Sequence, residues 1–178
     1  MRNLFLLIIL LAVHPLSAQK DSSTFHPKNV IFGEAGGNAL GYSINYGRIF
    51  WGEKMSACMI RAGFGFLPYA EGNEYQVPVE ASLLIGKKRH FLELGAGLSI
   101  FSHVIFPHIS PGGQSMDITT YTKRINGVNG CARIGYCFMP LYRNNLMFRV
   151  AFTPLFTDGY YEYREIKPWA GASIGWAF

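Results

Sequence analysis

The sequence predicts an all-β chain that closes into an eight-stranded antiparallel, transmembrane up-and-down barrel behind a cleavable signal peptide. Three observations predict it. Apolar residues recur with a period of two in eight segments, as in strands whose successive side chains point to opposite faces. In each segment one parity is apolar or aromatic and the other is mostly Gly, Ser, Asn, Arg or Glu. A soluble barrel has the opposite polarity, with its oily side chains inside. The connections alternate between short and mostly long, as turns on one side of a membrane and loops on the other do.

The chain has 178 residues, the length of a single domain, and although 49% of them are apolar, a long unbroken apolar run occurs only near the N-terminus. There Met1-Arg2-Asn3 is a positive head and Leu4 to Val13 an apolar stretch, followed by His14-Pro15 and Leu16-Ser17-Ala18 before Gln19. That order reads as a signal peptide over 1–18. The apolar stretch falls short of the ~20 residues a spanning helix needs. Absence of Cys at the cleavage point argues against a lipoprotein. Residues 19–29 form a periplasmic lead-in, and 30–178 the barrel. Loss of Arg2 with the leader takes the formal net charge from +5 to +4. A modest positive charge suits anionic lipid head groups. Nothing points to nucleic acid, since no basic run exceeds Lys87-Lys88-Arg89-His90.

The first strand spans Val30 to Ala35, with Glu34 on the parity of Val30 and Phe32, which leaves its outward face open; Gly36-Gly37-Asn38 is a turn. In the second, Leu40, Tyr42, Ile44 and Tyr46 face outward, and Arg48 shares their parity near the strand end, where it can snorkel. The third sets Cys58, Ile60, Ala62, Phe64 and Phe66 outside against Met59, Arg61, Gly63 and Gly65 inside. Leu67 to Gln76 reads as a loop. The fourth has Val77, Val79, Ala81, Leu83 and Ile85 outside, with Glu80 and Leu84 within. The fifth has Leu92, Leu94, Ala96, Leu98 and Ile100 outside, with Glu93, Gly95 and Gly97 within. Ser102 to Asn129 is the longest irregular stretch. The sixth sets Ile134, Tyr136 and Phe138 against Arg133 and Cys137, and the seventh Phe148, Val150, Phe152 and Phe156 against Met147, Arg149 and Thr153. Thr157 to Lys167 is a loop. The last strand runs from Pro168 to Phe178, with Ala170, Ala172, Ile174, Trp176 and Phe178 on one face and Trp169, Gly171, Ser173, Gly175 and Ala177 on the other. Aromatics gather at the strand ends as candidate interfacial girdles: Phe50, Trp51, Phe138, Tyr142, Trp176 and Phe178 at the short-turn side, Tyr69, Tyr75, Phe106, Phe156, Tyr160 and Tyr161 at the other.

Eight strands enclose a lumen just wide enough for side chains to fill. The inward charges are Glu80 and Glu93 against Arg61, Arg133 and Arg149, with Glu34 as a sixth member if its parity faces in. Near-balanced charges in so narrow a space should pair. They read as a plug of salt bridges, the alternative being a gated ion path through the same groups. Cys131 and Cys137 lie roughly 20 Å apart at ~3.3 Å per residue and cannot bond to each other. With Cys58 they read as small apolar fillers.

The leader, the eight segments and the terminal Trp176-Ala177-Phe178 together resemble small OmpA/OmpX-like outer-membrane barrels. The stretch Asn38 to Phe50 and the Ser17–Gln19 junction are similar to uncharacterised barrels of Bacteroidota, which are Gram-negative. The resemblance implies residence in the outer membrane, contact with its lipid and lipopolysaccharide, and insertion by the barrel-assembly machinery, with Ile174, Trp176 and Phe178 as the signal. It implies a structural or surface-binding role. No peptidoglycan-binding domain follows, so tethering is not expected.

An alternative is lipid A modification, since barrels resembling the deacylase use a His/Ser pair at the lipid-facing rim. Ser102 and His103 would be nucleophile and base, but adjacent residues on a strand point to opposite faces. A narrow pore for small solutes is a further alternative. His103, His108 and Asp117 lack a regular metal-ligand spacing, and phosphate-loop, dinucleotide and zinc-finger patterns are absent, so no cofactor or metal is expected.

Overall fold

A computed structural model describes residues 27–53, 55–69, 72–105, 123–139, 145–157 and 165–178; the signal-peptide reading, and His108 and Asp117, lie outside them. Ten strands are present among the described residues: β1 (Asn29–Gly36), β2 (Tyr42–Glu53), β3 (Ser56–Tyr69), β4 (Gly72–Lys87), β5 (His90–Ile105), β6 (Lys123–Phe138), β7 (Asn145–Phe152), β8 (Leu155–Thr157), β9 (Glu165–Lys167) and β10 (Ala170–Ala177). Two pairs of them are halves of single wall strands. Thr153-Pro154 parts β7 from β8, and Pro168-Trp169 parts β9 from β10, because proline has no N–H for the ladder. Backbone bonds still cross the breaks: Ala132 N–H donates to Pro154 O at 3.2 Å and Thr153 N–H to Trp169 O at 2.7 Å.

The result is a closed, eight-stranded antiparallel barrel. Every neighbour in the wall is consecutive in sequence except at the seam, where β1 meets β10. Seven residue pairs run from Val30 opposite Ala177 to Gly36 opposite Gly171. Beyond them Asn29 and Phe178 exchange both backbone hydrogen bonds, each 2.8 Å.

The pleat sorts the side chains as the alternation implied. Ile44, Leu98 and Ile174 stand on the outer surface with 69%, 56% and 58% of their area exposed, and Ile60, Leu94 and Phe148 are exposed beside them. So broad an apolar surface is far more than soluble monomers show. The face of β1 is settled by burial: Val30, Phe32 and Glu34 point inward and Ile31 outward.

The interior is layered. At the short-turn end Val30, Phe32, Ile49, Met59, Leu84, Phe91, Met139 and Met147 form a dry apolar floor. The ionic residues lie above it. At the opposite end the Gly37–Ala39 3₁₀ turn is itself buried, and Asn38 Nδ2 donates across the lumen to the carbonyl of Leu98 on β5 at 3.2 Å. Gly36 and Gly37 take positive φ of 75° and 66°, which only glycine adopts without cost, and so let the chain fold in over the lumen.

Five readings of the sequence need correction. The loop Thr157–Lys167 begins and ends in strand, with Thr157 opposite Glu165 and Leu155 opposite Lys167, because the β8–β9 ladder continues past the proline breaks. Leu40 is not on the outer face of β2; it ends the inward turn at φ 59°, half-buried. The stretch Leu67–Gln76 is mostly strand: β3 runs to Tyr69, and Pro68 sits opposite Asn73 of β4 where β2 no longer flanks it, an edge position that tolerates proline. Ser102–Asn129 likewise begins and ends in strand, with Ser102 opposite Asn126 and Ile105 opposite Lys123. Its Asn and Gly content mimics a loop, while the long ladder decides the structure. Trp169 is not inside; the Pro168 break interrupts the alternation and leaves it 39% exposed.

The closing register gives a direct test. A Cβ built on Gly33 meets nothing within 4 Å, and Gly33 lies opposite Ile174. With the three native cysteines replaced by Ala, Gly33→Cys with Ile174→Cys is expected to form an intrachain disulfide on mild oxidation, read by gel mobility. Gly33→Cys with Ala172→Cys, one pleat away, should not, since bridged Cα atoms lie within ~7 Å.

Candidate functional site

All six inward charges named from the sequence occupy one buried cluster above the apolar floor. Arg61 on β3 stands directly opposite Glu80 on β4, and Nη2 donates to Oε2 at 2.7 Å. Arg61 Nη1 reaches Glu34 Oε2 on β1 at 2.8 Å. Arg133 on β6 faces the same two carboxylates, Nη2 to Glu34 Oε1 at 2.8 Å and Nε to Glu80 Oε1 at 2.7 Å. The second of these is a charge contact without hydrogen-bond alignment. Glu34, Arg61, Glu80 and Arg133 thus form a ring of alternating sign in which each member touches both opposite charges. Arg149 on β7 clasps Glu93 on β5 with two bonds, 2.5 and 2.9 Å, and lies 4.0 Å from Glu80.

Smaller groups complete the shell. Ser173 Oγ donates to Glu34 Oε1 and Ser82 Oγ to Glu80 Oε1, each at 3.2 Å, and Asn45 Oδ1 accepts from Arg61 Nη1 at 3.3 Å. Arg61 Nε, Arg133 Nη1 and Arg149 Nη1 have no hydrogen-bond partner among the described residues. The Phe32 ring lies 5.5 Å from the Arg61 guanidinium and 4.8 Å from that of Arg149, and its π face offsets part of that shortfall. Glycine makes the room. Gly95 and Gly97 of β5 face inward opposite Ser82 and Glu80, and a Cβ on Gly97 would lie 2.9 Å from the Glu80 backbone.

Above the ring is a second polar group, in a stretch that sequence patterning assigns to loops. Glu74 bonds Gln76 Nε2 and His103 Nδ1, the latter at 3.2 Å, and Ser99 Oγ donates to Gln76 Oε1 at 3.0 Å. The parity of Glu80, carried back through Pro78 to Gln76 and Glu74, is the signal that locates it. His103 therefore turns inward. Ser102, the next position on the pleat, faces the other way, so the structure does not bring this pair together. Ile174, Trp176 and Phe178 all lie exposed on the outer surface of the last wall strand.

The cluster sets three carboxylates against three guanidinium groups, all of them buried. Balanced carboxylates and guanidinium groups, excluded from water, hold one another in place and leave no open face for a substrate.

No family model matches the sequence, and no curated protein does. Among solved structures, the N-terminal β-barrel domain of Pseudomonas aeruginosa OprF is similar, with a TM-score of 0.53 at 13% identity over 85% of this chain and 98% of that one. At that identity the likeness carries the fold alone, a closed eight-stranded antiparallel β-barrel.

Removing one member of a buried ion pair strands its partner at ~3–5 kcal/mol. Glu80→Ala is expected to lose about that much stability in urea unfolding from lipid vesicles, because Arg61 and Arg133 both rely on it. Arg61→Ala with Glu80→Ala should cost less than the sum of the single changes by at least ~1 kcal/mol; strict additivity would mean that the ring contributes no coupling.

Proposed function

We infer that the chain is an integral outer-membrane β-barrel with a sealed interior, serving as a structural or surface-binding element of the membrane rather than as a channel. The observation that carries this reading is the filled lumen. Its ionic ring is covered below by the apolar floor and above by the inward turn, and Arg61 and Arg149 are 1% and 0% exposed. In hydrocarbon every backbone polar group needs an internal partner, which a closed ladder supplies. The outward apolar band supports the same assignment, with Phe50, Trp176 and Phe178 toward one rim and Tyr69, Tyr75 and Phe156 toward the other. Ile174, Trp176 and Phe178 would then be read by the assembly machinery during insertion.

The binding half of the reading rests on strand length. About ten tilted residues cross a bilayer, whereas β4, β5 and β6 each have 16. The surplus raises the wall above the membrane on the side away from the short turns, where its rim would meet lipopolysaccharide or another surface partner.

Planar-bilayer recording on the purified, folded protein tests the sealed lumen. No steady conductance is expected at either polarity. Stable channel openings would overturn the reading in favour of a pore, and an altered acyl pattern of lipid A on expression, abolished by His103→Ala, would favour an enzyme.

A further inference from the structure

Basic side chains gather at the short-turn rim. Lys28, Arg48, Lys87, Lys88 and Arg89 are all exposed there. Two groups are formed. Lys28, just before β1, adjoins Arg48 on β2: Ile49 N–H donates to Lys28 O at 2.8 Å and Arg48 lies opposite Asn29. Lys87 to Arg89 make the turn between β4 and β5, with Lys87 paired to His90. In the sequence of the three short connections Glu53 is the one acidic residue, against Lys54, Lys87, Lys88, Arg89 and Arg143. The connections of the other rim contain Glu71, Asp117, Asp158 and Glu162 among their basic residues.

Two features set these cations apart. Arg48 sits on the outward parity of β2, between Tyr46 and Phe50, with its guanidinium 5.9 Å from the Phe50 ring. On a lipid-facing surface an Arg is tolerated where it can snorkel to the head groups, and a guanidinium matches a phosphate through two parallel hydrogen bonds. Lys88 has φ 60°, a conformation for which a two-residue turn normally takes Asn or Gly. The turn thus carries a cation at a position where the backbone favours Asn or Gly.

We propose that this rim is a docking surface for the anionic phospholipid head groups of the leaflet it meets, with Arg48 on one side and the Lys87–Arg89 turn on the other gripping phosphate. The inference rests on the membrane-barrel reading. Short turns mark the periplasmic side of such barrels, so the leaflet concerned is the inner one.

Lipid retention tests it. The full mature chain is folded into nanodiscs of equimolar phosphatidylcholine and phosphatidylglycerol, and the lipid that stays bound is read by native mass spectrometry. Phosphatidylglycerol is expected to be enriched about fivefold, the order set by one well-placed cation near an anionic surface. Replacing Arg48, Lys87, Lys88 and Arg89 by Ala should return the ratio to that of the mixture, and Arg124→Ala with Lys167→Ala, at the other rim, should leave it enriched. Enrichment in the wild type should also collapse in about 1 M salt, where the screening length is ~3 Å, which decides the matter even where the fourfold variant does not fold. A wild-type ratio equal to the mixture, or enrichment that survives the fourfold change or the salt, overturns the proposal. Failure of the wild type to fold into nanodiscs of either lipid, judged by its gel mobility before and after heating, would instead overturn the membrane barrel itself.

Discussion

Pairing of the first strand with the last is the constraint from which the rest follows. A sheet with free edges exposes a row of unpaired N–H and C=O groups, each costing several kcal/mol in an apolar medium. The β1–β10 seam removes those edges, from Asn29–Phe178 at one rim to Gly36–Gly171 at the other. Once the ladder is closed, every wall residue has one of two fates, lumen or outer surface. Alternation becomes a rule along the regularly paired stretches of the wall, and a one-residue slip there would exchange the two sets.

Closure at eight strands also fixes the interior radius, and that radius explains the composition of the inward face. Six long charged side chains cannot share a narrow lumen unless positions beside them are small. Gly47, Gly63, Gly95, Gly97 and Gly135 supply that space; a Cβ at Gly63 would lie 2.7 Å from Asn45 Cγ, and one at Gly95 2.9 Å from Ser82 Oγ. Pro78 shows how much irregularity the ladder tolerates. Pairing of β3 with β4 lapses between Ala62–Val79 and Gly65–Gln76, where proline has no N–H to give, and resumes in the same register.

Most of the fold is legible in the sequence because closure imposes period two, and period two survives in the order of residues. The inward parity of Arg61, Glu80, Glu93, Arg133 and Arg149 needs no more than counting. Legibility ends where the period is interrupted or unsupported by polarity. In β1 a carboxylate shares its face with Val30 and Phe32, so the alternation alone leaves the direction of Glu34 open; only the pairing across the lumen resolves it. Above the apolar band both faces of a strand meet polar surroundings, so Glu74, Gln76 and Asn126 have the character of loop residues although they lie in long ladders. Trp169 follows a parity that Pro168 has already broken. The partners within the ionic cluster are likewise beyond the sequence. Arg61–Glu80 is a direct cross-strand neighbour, but Glu34–Arg133 joins strands that are not adjacent in the wall, and no local pattern encodes that contact.

That non-local contact suggests what a buried ionic ring contributes. Replacing buried ion pairs by apolar groups is often neutral or stabilising, so their net energy alone is weak reason to have them. Their directionality is a better one. Glu34 is held by Arg61 from β3 and by Arg133 from β6, and Glu80 by the same two arginines. An apolar interior would accept several strand registers with similar energy. A ring of four charges accepts one, because any slip of β1, β3, β4 or β6 by a single residue would turn a charge to the apolar outer surface and leave two others unpaired inside. The floor of Met59, Leu84, Phe91 and Met147 then supplies dry packing without register preference, and the ring above it supplies register. Division of labour between the two layers accounts for why a barrel with an oily exterior retains six charges at its centre.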